Sequence, residues 1–145
     1  MSQENIIDKQ MLRRLDNIDV YCRDIPAMVR FYRDVLGQPL LYPHEDGTDW
    51  FAIQSGDVSV YFLAADPDAD DAHYPPARCA GISSFSFAVD DLDAAIARLD
   101  GQVAWADDIR DWRHPDGTWY RFRFFTDPEG NNLSITEPHK ARETT

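Results

Sequence analysis

LDNIDVYCRDIPAMVRFYRDVLG, Leu15 to Gly37, reads as one strand followed by one helix. Ile18, Val20 and Cys22 alternate with polar or aromatic neighbours, the period-2 pattern of a half-buried strand. Arg23-Asp24 ends the alternation. Asp24 stands where a helix N-cap belongs, its carboxylate placed to accept unpaired backbone N–H groups and to favour the helix dipole. Ile25, Met28, Val29, Tyr32 and Leu36 then recur at three- and four-residue spacing, and Gly37 stops the helix as a residue able to turn left-handed.

The same grammar returns in ISSFSFAVDDLDAAIARLDG, Ile82 to Gly101. Phe85, Phe87 and Val89 alternate, Asp91 takes the N-cap position, Leu92, Ala95, Ile96 and Leu99 repeat the helical stripe, and Gly101 closes it. Behind each helix come three strand-like segments. In the first copy they span roughly 39–42, 49–54 and 58–63, with turns at Asp46-Gly47 and Ser55-Gly56-Asp57. In the second they span roughly 102–105, 118–126 and 132–137, with turns at Pro115-Asp116-Gly117 and Asp127-Pro128-Glu129-Gly130. The order is β-α-β-β-β, twice. It predicts an N-terminal tail (1–14), a first module (15–64), an acidic linker (65–81), a second module (82–138) and a C-terminal tail (139–145). The linker's aspartates lack the glycine and terminal glutamate of an EF-hand loop and read as solvated chain.

The 145 residues are 43% hydrophobic, enough apolar side chain for one compact core, and no apolar run approaches the roughly 20 residues that a membrane span needs. With 26 acidic against 14 basic side chains and a net charge of −12, nucleic acid is a poor partner, because phosphate contacts rest on Lys and Arg. The start lacks a positive segment leading into an apolar one, and Cys22 and Cys79 form no CxxC pair, so two reduced thiols in a cytoplasmic protein are expected.

These residues resemble the modules of the vicinal oxygen chelate superfamily, which includes glyoxalase I, bleomycin-resistance proteins and extradiol dioxygenases. The first stretch looks like the opening of such a module, and FFTDPEGNNLSI, Phe124 to Ile135, is similar to the hairpin before the last strand. The resemblance covers about residues 15–137. It implies an α+β fold of two βαβββ modules whose curled mixed sheets surround a concave cavity, with helices on the convex side. It also implies a homodimer with two equivalent sites, and a divalent metal held by His on each first strand and Glu on each last strand. At those positions this chain carries Asn17, Ser84 and Ser134, with Ser59 or Tyr61 on the last strand of the first module. Divalent ions of this kind need imidazole or carboxylate lone pairs. No metal and no other cofactor is therefore expected.

Strand parity sorts what remains. With Ile18, Val20 and Cys22 toward the helix, Asn17, Asp19 and Tyr21 face the cavity; Ser84 and Ser86, Trp50, Ala52 and Gln54, and Ser59, Tyr61 and Leu63 face it likewise. Along Thr118 to Thr126, Tyr120, Phe122 and Phe124 form one face, and Trp119, Arg121, Arg123 and Phe125 the other, which is assigned to the cavity. The expected pocket has aromatic walls (Trp50, Tyr61, Trp119, Phe125), small hydroxyls (Ser84, Ser134), Asn17, one acid (Asp19) and two guanidiniums (Arg121, Arg123). Those guanidiniums would either pair with surface acids or fork a ligand's carboxylate or enolate, and Asp19 would pair with one of them. The acidic stretch WADDIRDW, Trp105 to Trp112, reads as an edge strand packing two indoles or as a lid. All four histidines, His44, His73, His114 and His139, fall in loops or the tail and are expected in solvent.

Two functions follow. The first is metal-independent binding of a small organic molecule, aromatic or oxygen-rich, of the drug-sequestering kind. The alternative is a metal-free isomerase, cyclase or lyase with Asp19, Tyr61 and Arg121 as catalytic candidates. A metal-dependent lyase or dioxygenase with displaced ligands stands third.

Overall fold

A computed structural model describes residue 11, residues 15–69 and residues 82–139. The Cys79 thiol, His73, much of the linker and most of both tails lie outside the described residues. In chain order the elements are β1 (Asn17–Cys22), α1 (Ile25–Val29) running into a π-helical segment (Arg30–Val35), β2 (Trp50–Ser55), β3 (Val58–Ala64), β4 (Phe85–Ala88), α2 (Leu92–Leu99), β5 (Ala104–Trp105), β6 (Arg110–Arg113), β7 (Trp119–Thr126) and β8 (Asn132–His139).

Both helices start as their sequences dictate. Asp24 accepts from the Ala27 amide and Asp91 from the Ala94 amide, each at 3.0 Å. They end at Gly37 (φ 68°) and Gly101 (φ 81°), in the left-handed region that a side chain with Cβ resists. Within the first helix the ladder slips by one residue, and the Leu36 amide bonds the Phe31 carbonyl at 2.9 Å.

Two open, curled sheets result, both mixed, in an α+β architecture. The first runs β1-β3-β2, with β1 parallel and β2 antiparallel to β3. The second runs β4-β8-β7-β5, with β6 pairing another stretch of β7. The strand expected over 39–42 shrinks to a bridge, Leu40 opposite Ile53. Pro39 and Pro43 remove amide donors at both ends of that segment and cut the ladder short.

Each helix lies on one face of its own sheet, and the apolar sides merge. Met28, Tyr32, Phe51, Ile53 and Phe62 from the first module join Leu92, Phe125, Leu133 and Ile135 from the second in one cluster of buried side chains. Phe31 meets Phe125 at a ring separation of 6.5 Å, so the two modules share a core rather than owning one each. Each such ring contributes roughly 1.5–3 kcal/mol by leaving water. The opposite, concave faces of both sheets are left without a helix, and they carry the chemistry.

Candidate functional site

On the first sheet, register places three rows of side chains on the concave face. Asn17, Ser59 and Gln54 form one; Asp19, Tyr61 and Ala52 the next; Tyr21, Leu63 and Trp50 the third. Asn17 Nδ2 donates to Asp19 Oδ1 at 2.9 Å, and Ser59 Oγ to Gln54 Oε1 at 2.8 Å. The Trp50 indole lies nearly parallel to the Tyr61 ring, centroids 6.3 Å apart, and Tyr42 meets Trp50 edge-on at 5.9 Å. Partial desolvation pushes the Tyr61 phenol above its ordinary value, and Tyr42 and the carboxylates of Asp16 and Asp19 add to that. At neutral pH Tyr61 is a hydroxyl that donates, not a phenolate that abstracts protons.

On the second sheet, Tyr120, Phe122 and Phe124 of β7 stand on the concave face beside Ser134 and Thr136 of β8 and Ser86 of β4. Trp112 of β6 and His114 extend this surface, and together the eight side chains line a cleft of about 320 Å³. The His114 imidazole stacks on Trp112 at 5.0 Å and meets Tyr120 edge-on at 5.4 Å. Ser86 and Ser134 hydrogen-bond to each other across the strands.

That arrangement inverts the expected faces of β7. Trp119, Arg121, Arg123 and Phe125 stand on the helix side. Phe125 is fully buried in the shared core and packs edge-on against Trp105 at 5.7 Å. Arg121 reaches Asp93 of α2 at 3.2 Å and Glu137 at 3.7 Å. Arg123 Nε donates to the Asp107 carbonyl at 2.7 Å, its guanidinium 4.3 Å from the Trp105 ring centroid. Trp119 stacks on His139 at 3.9 Å, and the Arg113 guanidinium lies 5.0 Å from its ring centroid. The physical reason is coverage: α2 has only eight residues, so the sheet beyond it closes with long amphipathic side chains and ion pairs instead of apolar ones. Neither arginine pairs with Asp19, and Asp19, Tyr61 and Arg121 do not converge. His44, His114 and His139 are half-buried rather than solvated, because each lies against an aromatic ring. Trp112 is on the edge strand, 62% exposed, while Trp105 is packed against the core.

A larger hollow, about 780 Å³, lies between the unpaired edges of β1 and β4 and holds Ser84. Much of its polar lining is already committed. The Glu129 carboxylate accepts from the Arg23 and Asp24 amides at 2.7 Å, capping the first helix from the other module. Beneath it, burial, reinforced by the Glu129, Asp127 and Asp24 carboxylates, pushes the Cys22 thiol up to about 12, far from a reactive thiolate. Nothing short of a partner residue's position, remote in sequence, would have revealed this cap.

The residues at the positions where the resemblance implies a metal do not fit one. Asn17 spends its amide on Asp19, Ser134 is hydrogen-bonded to Ser86, Ser84 offers a neutral hydroxyl, and the Tyr61 phenol holds its proton. Among the described residues no three His, Cys, Asp or Glu side chains gather closely enough to hold an ion.

Comparison with known proteins agrees with the family resemblance. The chain is 31% identical over 134 residues to the uncharacterized protein YaeR of Escherichia coli K12, an alignment covering 87% of this chain and 97% of that one. The fold matches a glyoxalase family protein from Enterococcus faecalis (TM-score 0.67, 22% identity, 88% of this chain and all of that one). It also matches a lactoylglutathione lyase from Agrobacterium tumefaciens (TM-score 0.59, 21% identity, 86% of this chain and 93% of that one). A family profile matches residues 14–135, nearly the whole span of both modules, and the chain belongs to the glyoxalase/bleomycin resistance protein/dioxygenase superfamily.

Proposed function

We propose that this chain is a metal-independent, cytoplasmic member of the superfamily that binds a small organic molecule on its concave surfaces, in the drug-sequestering manner. The carrying observation is the cleft of the second sheet, where Trp112, His114, Tyr120, Phe122 and Phe124 surround the hydroxyls of Ser86, Ser134 and Thr136. Apolar walls around a few placed polar groups are the usual makeup of an organic-ligand site. Among the described residues the lining side chains are uncharged, and the one guanidinium at the rim, Arg110 at 5.6 Å from the Phe124 ring centroid, is paired with Asp107, so the cleft suits a flat, uncharged, oxygen-bearing aromatic molecule that stacks on the rings and exchanges hydrogen bonds with the hydroxyls. Both concave faces are open in one chain, and a second copy closing over them as a homodimer completes the reading.

Protein carrying 5-fluorotryptophan provides the test, since Trp112 lines this cleft and Trp50 lies on the other sheet. Titrated with a panel of planar phenols and quinones, the Trp112 fluorine signal should shift saturably with a Kd below about 1 mM, roughly −4 kcal/mol. Ser134→Val should weaken that binding. Silence of Trp112 toward the whole panel refutes the reading, and so does a stoichiometric transition metal in protein purified without chelator. The metal-free enzyme has less support, because Arg121 is on the helix side of the other sheet, away from Asp19 and Tyr61.

A further inference from the structure

We infer that the concave face of the first sheet is a separate binding site for small organic monocations, protonated amines or quaternary ammonium groups, with Asp19 as the counter-ion. It lies on the other sheet from the proposed aromatic cleft and stands or falls independently of it.

Asp19 is an exposed carboxylate set among aromatic rings. It is in register with Tyr61, one row from Tyr21 and Trp50, and near enough to the Tyr61 phenol to raise its pKa. Trp50, Tyr61 and Tyr42 form a continuous aromatic floor, and Tyr21, 72% exposed, stands beside it. Ala52, opposite Tyr61, presents only a methyl group and is buried beneath the rings.

The charge balance of this face is one-sided. Its nine strand positions hold one carboxylate, neutral polar groups, aromatics and aliphatics, and no basic side chain. Asp93, Asp107 and Glu137 each have an arginine partner, whereas Asp19, among the described residues, accepts from the neutral Asn17 amide. A carboxylate beside ring faces suits a soft cation that gains from both, since the rings attract positive charge and the carboxylate needs a counter-charge once a ligand displaces its water. An uncharged aromatic ligand supplies only the first, and a bare metal ion would need several further oxygen donors. The chain's net charge of −12 favours the encounter over long range.

The same fluorotryptophan-labelled protein tests this with choline and its uncharged isostere 3,3-dimethylbutan-1-ol. Choline should shift the Trp50 signal at least ten-fold more tightly than the isostere at low salt, with affinity falling as salt rises. Asp19→Asn should bring choline to the isostere's level, and Trp50→Leu, followed by calorimetry, should weaken it; far-UV circular dichroism checks that both variants fold. Equal binding of the two ligands overturns the inference, as does an Asp19→Asn variant with unchanged choline affinity. A Trp50 signal that responds to protein concentration and not to choline overturns it too, since a second copy then covers the face. Trp112 reports the other cleft in the same spectra, so failure of either site is read separately.

Discussion

Asp127 is a buried carboxylate with four donors around it. The Tyr32 hydroxyl (2.8 Å), the Glu129 amide (2.9 Å), the Asn131 amide (2.9 Å) and Asn131 Nδ2 (2.7 Å) all point at its two oxygens. Three of these bonds shape the turn that begins β8, and the fourth ties that turn to the first helix. Asp127→Ala removes the carboxylate that accepts all four of these bonds in a largely buried turn, and should destabilise the chain by about 3 kcal/mol in urea unfolding. A loss under about 1 kcal/mol would mean that water replaces the carboxylate. The turn itself was legible in Asp-Pro-Glu-Gly. Its bond to Tyr32 was not, because the partner lies 95 positions away and no local pattern encodes it. The same holds for Glu129, which reads as an ordinary turn residue and serves as a helix cap.

At the scale of elements, strand parity was read correctly for β1, β2 and β3, where each core-facing set named from the sequence is apolar. It failed on β7, where both faces carry aromatics: three on one, and two flanking a pair of arginines on the other. Register resolves what composition does not. The tight turn at 127–130 pairs Phe125 with Leu133, and Leu133 shares its face with Ile135 and Glu137, so Phe125 and both arginines follow them to the helix side. The acids that receive those arginines belong to that face as well. Glu137 accepts from the Leu92 amide at the start of α2, and this bond, aided by His139 and Arg121, holds its carboxyl below the ordinary value against the opposing effect of desolvation. A carboxyl so depressed binds its proton less readily in the folded chain than in the unfolded one. It therefore stabilises the fold above the usual glutamate range and loses that contribution as pH falls through the folded value. Glu137→Gln should lower the urea midpoint at pH 7, and the gap from the parent should close as pH drops toward about 3. A gap of constant size across that range would show that the charge contributes nothing.

Across the whole molecule, the repeat and the two-sheet architecture were visible in sequence, while the way the modules join was not. Phe31 against Phe125, Tyr32 on Asp127 and Glu129 under Arg23 make one cooperative body from two copies of one motif. Phe125→Ala should cost about 3–5 kcal/mol and still give a single transition, with near- and far-UV circular dichroism superimposing. Separate transitions would mean that each module folds on its own. Part of the acidity has a structural place: Asp24 and Asp91 cap helices, Asp127 and Glu129 organise the 127–131 turn, and acids on the convex side pair with arginines, while Asp19 stands apart on a concave face.

The cap on the first helix has a consequence in time. Arg23 and Glu129 are 106 residues apart, so the carboxylate that finishes the opening helix leaves the ribosome well after the helix itself. Until then the emerging first half exposes the Arg23 and Asp24 amides and the apolar faces of Phe31 and Tyr32, a species open to self-association. Loop-closure entropy over that separation must be overcome before the bond repays it, which makes late docking of the 127–131 turn the expected slow step of folding. The halves resemble each other, yet their order of synthesis makes the first depend on the second for its completion.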